Sequence, residues 1–138
     1  MAKRKTRTRN CLTGVCAPQR TQGLRAPAPR GEHLLVNLKG PGLFLAAEVA
    51  KQGGSNDLTF VSLDIDGRNV TNLSFAAAEN TGLTQQNPFG LVLLASPAIK
   101  NLTIGFPVPL RFQKRLKLSV NVDEDDVVQI LANVIHGK

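Results

Sequence analysis

The sequence predicts an all-β protein: an antiparallel β-sandwich, jelly-roll-like, of seven to eight strands, with an extended basic N-terminal arm. Three observations carry that expectation. Short runs alternate apolar and polar residues from residue 33 onward. Gly, Pro and Asp-Gly punctuate those runs at regular intervals. Charge is segregated, with eight Lys and Arg and no acid in residues 1–31, against nine Lys and Arg and ten acids in the other 107. A small barrel is the competing architecture. Nothing alternates with a long amphipathic helix, which argues against a parallel α/β sheet.

The arm comes first. Residues 1–31 are poor in apolar groups and rich in Arg, Thr, Gln, Pro and Gly. Such a segment buries too little surface to offset the entropy of ordering it. It is expected to be mobile alone and ordered only against a partner. Ala26-Pro27-Ala28-Pro29 reads as a stiff, extended joint. The expected division is therefore a 1–31 arm with its Pro-containing linker and a 32–138 sandwich domain.

Strands follow at 33–39 and, after Gly40-Pro41-Gly42, at 43–50. Residues 58–76 form a hairpin, because Asp66-Gly67 between alternating runs favours a two-residue turn. Ala76-Ala77-Ala78-Glu79 starts a helical turn, and Asn80 to Pro88 reads as loop. Strands at 90–95 and 99–106 are divided by Ser96-Pro97-Ala98, and Pro107 and Pro109 break the chain. The clearest alternation is Leu116, Leu118, Val120 and Val122 on one face, with Arg115, Lys117, Ser119, Asn121 and Asp123 on the other. Asp123-Glu124-Asp125-Asp126 makes a solvated turn, and Val127 to His136 follows as an apolar, central partner strand.

Composition bounds the function. A chain of 138 residues is one ordinary domain. No apolar run approaches the roughly 18 residues of a membrane-spanning helix. His33 and His136 sit at opposite ends of the body, without a Gly-x-Ser-x-Gly elbow or comparable nucleophile motif, and His136 reads as a surface residue at a strand end. Asp64-Ile65-Asp66-Gly67 lacks the remaining ligands of a calcium loop, so it reads as a plain turn. The expectation is no enzyme, no cofactor, no metal and no small-molecule substrate. Asn69, Asn72 and Asn101 match the glycosylation pattern but read as strand residues.

The candidate binding residues are the arm cations Lys3, Arg4, Lys5, Arg7, Arg9, Arg20, Arg25 and Arg30, which suit a polyanion or an acidic protein surface. Contact with nucleic acid through them would be electrostatic, non-specific and sensitive to salt. With Trp and Tyr absent, and five of six Phe in strand patterns, the body has little with which to stack bases. Arg111, Lys114, Arg115 and Lys117 either touch phosphates or protect a sheet edge, and the edge role is favoured. For Cys11 and Cys16, free thiols are the first reading and a local disulfide the second, with an interchain bridge and a zinc site shared by two arms as the remaining alternatives.

In overall plan, the Lys3–Arg30 arm and the strand pattern of 33–136 resemble small viral and phage virion structural proteins: coat, decoration, collar or minor capsid subunits with a basic N-terminal arm. The resemblance implies a homo-oligomer or a contact with other shell proteins. It further implies an arm that meets genome or a neighbouring subunit, and a place in the virion assembled in the host cytoplasm. A cytoplasmic nucleic-acid-associated β-domain and a peptide or sugar recognition domain are the alternative readings. Lack of Trp and Tyr counts against sugar.

Overall fold

The computed structural model describes residues 11–12, 14–84, 91–95 and 99–138. They form eleven strands and one short helix. The strands are β1 (Cys11–Leu12), β2 (Val15–Cys16), β3 (Gln19–Arg25), β4 (Gly31–Lys39), β5 (Gly42–Gly53), β6 (Thr59–Ile65) and β7 (Arg68–Ser74). After α1 (Phe75–Asn80) come β8 (Leu91–Ala95), β9 (Ile99–Phe112), β10 (Arg115–Val122) and β11 (Val127–Gly137).

Nine strands build two antiparallel sheets, ordered β4-β10-β6-β7 and β3-β11-β5-β9-β8. The pairs β3·β11, β4·β10, β5·β9 and β6·β7 join first strand to last, second to next-to-last, and so on inward. That is a nested hairpin wound over itself, the connectivity of a jelly roll, with β8 added at an edge. Among the described residues both sheets keep open edges, so the architecture is a sandwich and not a closed barrel.

Alternation decides which side chains meet between the sheets. From the four-stranded sheet come Val61, Leu63, Leu116, Leu118 and Val120; from the five-stranded sheet come Phe44, Val49, Leu93, Leu102, Ile104, Ile130, Ala132 and Val134, all buried. Phe75 and Ala78 of α1 join the same core. Ser74 caps α1, its hydroxyl accepting from the Ala77 amide at 3.0 Å. The β6–β7 turn has both central residues at positive φ, Asp66 at 52° and Gly67 at 80°. Asp-Gly tolerates that geometry, and its twist matches the strands it joins.

The arm boundary expected at residue 31 is displaced. Residues 19–25 are β3, hydrogen-bonded along β11 from Gln19↔His136 to Arg25↔Ile130. Val15 and Ala28 are buried, and Cys16 exchanges two backbone hydrogen bonds with Lys138 at 2.7 and 2.8 Å. The sandwich therefore begins before residue 31, and residues 1–10 lie outside the described residues. Gly23 matters here: a Cβ at this position would overlap the backbone carbonyl of Leu35, where β3 passes against β4. The 26–29 linker turns the chain from one sheet to the other, with Ala26–Pro27 cis.

Three further expectations change. β9 runs through Pro107 and Pro109, because its ladder to β5 skips there: Gly105 pairs with Ala46 and Leu110 with Phe44. Prolines inside such a bulge owe the ladder no amide. β11 is central, between β3 and β5, but it does not pair with β10; residues 123–126 carry the chain across to the other sheet. β10 is an interior strand between β4 and β6, so Arg115 and Lys117 protect no edge and line the outer face of the four-stranded sheet. Residues 85–88 of the loop expected at 80–88, Phe89, Gly90 at the expected strand start, and the 96–98 divider lie outside the described residues.

Candidate functional site

The two outer faces of the sandwich differ in chemistry. The four-stranded sheet presents Asn37, Lys39, Ser62, Asp64, Arg115, Lys117 and Asn121, a mostly polar surface that also shows exposed Leu34 and half-buried Phe60. Three central rows of outward positions cross the five-stranded sheet, flanked by Gly137, Leu43 and Arg111 beyond one end and by Gln129, Gln52 and Ile99 beyond the other. Arg20, Ile135, Ala46 and Gly105 make the first; Gln22, Asn133, Glu48, Thr103 and Val92 the second; Leu24, Leu131, Ala50, Asn101 and Leu94 the third. Apart from Arg20 at the rim, the only ionisable group in these rows is Glu48.

Sequence explains the shape of this face. Small residues at Ala46 and Gly105 leave a hollow between taller neighbours, and a Cβ on Gly105 would meet only open space. The result is a shallow pocket of about 360 Å³, whose lining includes Arg20, Ala46, Glu48, Thr103, Asn133 and Ile135. The Glu48 carboxylate accepts from Asn133 Nδ2 at 2.9 Å and from Asn101 Nδ2 at 3.2 Å. Each amide then keeps its Oδ1 buried without a partner. Turning either amide over would set oxygen against carboxylate, so these orphaned acceptors accompany the fixing of Glu48. At the ends of the third row, Leu24 is 60% exposed and Leu94 58%.

A second cluster is buried at one end of the core. The inner phase of β5 carries Ala47, Val49 and then Lys51, whose side chain is fully enclosed. Its Nζ donates to Gly53 O at 2.8 Å and Asp57 Oδ1 at 2.7 Å, pairs with Glu124 Oε2 at 3.3 Å, and stands 5.4 Å from the centre of the Phe75 ring. Glu124 Oε2 accepts from the Thr59 hydroxyl at 2.5 Å and Oε1 from the Asp57 amide at 3.1 Å. Lys100 extends the network to Asp57 and, at 2.9 Å, to Glu79. Burial pushes the Asp57 carboxyl upward, but hydrogen bonds from Lys100 and Lys51 outweigh it and hold the group below its ordinary range. The hydrogen bond to Asp57 raises Lys100. With every carboxylate oriented onto an ammonium or amide, this cluster locks the 53–58 loop to the 123–126 crossover.

Glu124 therefore corrects the expectation of a solvated acidic turn. Its neighbours Asp123 and Asp125 are exposed, and both accept from Arg30 at 2.9 Å. Arg30, expected to meet a foreign polyanion, instead staples the linker to its own crossover. The two other described arm cations also separate, because Arg20 lies in register with outward Ile135 and Arg25 with inward Ile130. Lys3, Arg4, Lys5, Arg7 and Arg9 lie outside the described residues. Cys16 is disulfide-bonded, which removes the free-thiol reading for that residue, and the β1·β2 ladder sets Cys11 directly across from it.

His136 is another correction. It reads as a surface residue near the C-terminus, yet β3 and the Cys16–Lys138 pairing cover it and leave it 8% exposed. Its Nε2 shares a 2.7 Å hydrogen bond with Thr21 Oγ1, and burial lowers its pKa. His33 instead donates from Nε2 to the Pro29 carbonyl at 2.7 Å, so the two histidines are not joined into one site. Among the described residues no three His, Cys, Asp or Glu side chains group as a metal site. Asp66 uses its carboxylate on the amides of Gln113, Lys114 and Arg115, tying two turns together and keeping its pKa low through those bonds.

Glu48, Asn101 and Asn133 were not among the sequence candidates. A signal was present for two of them: Glu48 and Asn133 are lone polar residues among small or apolar ones, in Leu45-Ala46-Ala47-Glu48-Val49-Ala50 and Ile130-Leu131-Ala132-Asn133-Val134, whereas Asn101 stands between Lys100 and Leu102 and carries no such mark. No protein-family model matches the chain, and no curated protein sequence matches it.

Proposed function

We propose that the protein is a non-enzymatic assembly subunit of a virion, a capsid or capsid-associated component whose sandwich makes subunit contacts. On this reading its basic segment, Lys3 to Arg9, attaches to genome or to a neighbouring shell protein, and the particle assembles in the host cytoplasm. The observation that carries the reading is the outer face of the five-stranded sheet. A face whose first and third rows are apolar apart from Arg20 and Asn101, and which holds its one acid on two amides, is suited to contact with protein more than with water. Two further features support it. Jelly-roll sandwiches recur among viral shell proteins, although lectins and cupins share the fold. Five cations without an acid in residues 3–9 suit a polyanion.

Size-exclusion chromatography with light scattering and absorbance at 260 nm tests the proposal. Without Trp or Tyr the protein absorbs little, so co-purifying nucleic acid stands out. A defined multimer is the predicted result, with 260 nm absorbance assigning the basic segment to genome. Replacing Lys3, Arg4, Lys5, Arg7 and Arg9 with Gln should then flatten the salt dependence of binding to single-stranded nucleic acid. A monomer that carries nucleic acid at every concentration contradicts the subunit reading and favours a nucleic-acid-associated domain.

A further inference from the structure

Within the pocketed part of the outer face of the five-stranded sheet, one anion and one cation have no ion-pair partner among the described residues, Glu48 at the centre and Arg20 at the rim; Arg111, outward beside Leu43, is a second exposed cation at one end of the face. The Glu48 carboxylate is held by two amides at 2.9 and 3.2 Å, each of which leaves a buried oxygen unsatisfied. A carboxylate fixed in that way, beside an open pocket, is prepared for a cation. The pocket itself exists because Ala46 and Gly105 withhold side chains.

We propose that this face is self-complementary: two copies of the chain pack their five-stranded sheets together about a two-fold axis, and Arg20 of each enters the other's pocket to pair with Glu48. The inference rests on the assembly reading above and names the surface that performs it. Reciprocity is the first argument. An anion and a cation on one patch, both unpaired within the chain, are satisfied twice over by a two-fold operation. Desolvation is the second, since the row of Leu24, Leu131, Ala50 and Leu94 gives the pair an apolar surround, in which an ion pair is least screened. Area is the third. Over the whole sheet, with the end rows Gly137-Leu43-Arg111 and Gln129-Gln52-Ile99 included, five strands about 4.8 Å apart and roughly 30 Å long on average offer about 600 Å² per copy. The total of roughly 1,200 Å² reaches what a specific dimer needs. A polyanion is the poorer occupant, because Glu48 sits at the middle of the face and the exposed cations Arg20 and Arg111 lie at its margins.

Reversing charges in the full chain tests this. Glu48→Arg and Arg20→Glu should each raise the dimer dissociation constant at least about 30-fold, while the circular dichroism spectrum stays that of the wild type. The combined reversal, Glu48→Arg with Arg20→Glu, should recover much of the association. Arg20 lies exposed on an edge strand, so Arg20→Glu keeps the test open if the Glu48 variant fails to fold. A multimer whose mass ignores Arg20→Glu, or a double reversal that fails to recover, overturns the two-fold pairing and leaves the assembly reading in place. Loss of the multimer on deleting residues 1–10, with Arg20→Glu silent, overturns it as well and assigns the pocket to the basic segment. A wild-type chain that is monomeric throughout contradicts both.

Discussion

Replacing Lys51 with Met probes the charge cluster that closes one end of the sandwich. Met keeps the length of the side chain and removes the ammonium. Asp57 retains Lys100, but Glu124 is left fully buried with only Thr59 and the 56–57 amides as partners. At 3.3 Å and an effective dielectric of about 20, the lost Lys51–Glu124 attraction is about 5 kcal/mol. Measured losses on breaking a buried pair run at about 3–5 kcal/mol. The variant should therefore melt roughly 10–20 °C lower, or unfold at a correspondingly lower urea concentration, followed by far-ultraviolet circular dichroism. A second substitution, Glu124→Gln, removes the stranded charge. It should destabilise the wild type but cost clearly less in the Met background, a coupling of about 2 kcal/mol or more. A Lys51→Met loss below about 1 kcal/mol, or strict additivity of the two, would refute the reasoning.

Three other perturbations follow from the same structure. Burial sets the folded His136 pKa below its ordinary 6.5, so the unfolded chain protonates first and stability is lost as pH falls from about 6.5 through the lowered folded value. His136→Gln should shrink the difference between urea midpoints at about pH 7.5 and 5.5, and an unchanged difference would place the titration elsewhere. Deleting residues 1–10 should leave the urea midpoint unchanged, whereas deleting 1–31 strips β3 from β11 and should abolish cooperative unfolding; a cooperative 1–31 deletion would show that β3 is dispensable. Gly23→Ala drives a methyl into the Leu35 carbonyl and should cost about 1–3 kcal/mol in urea unfolding, a loss that an unaltered midpoint would deny.

What was legible in the sequence follows the range of the physics involved. Leu116 to Val122 and Asp66-Gly67 are local signals, because alternation and turn chemistry act within a few residues, and both appear as read. The jelly-roll connectivity accords with the strand count and punctuation. The ninth sheet strand escaped because Gln19-Arg20-Thr21-Gln22-Gly23-Leu24-Arg25 lacks apolar alternation. An edge strand buries little, and here its inward positions are Thr21, Gly23 and Arg25, with Gly23 pressed on backbone. Glu124 escaped for a different reason. Four successive acids look solvated, and only the inner phase of Lys51, 73 residues away, demands a buried anion. The Glu48 surface was least legible, since it depends on Asn133 and Asn101 arriving from two other strands, which register alone decides.

The central claim is that this sandwich is built to associate. Light scattering on the full chain, from about 1 to 100 μM, tests it most directly. The account predicts a mass of at least twice the 14.8 kDa of one chain, growing with concentration toward a fixed multimer. A mass of 14.8 kDa across the whole range would contradict it.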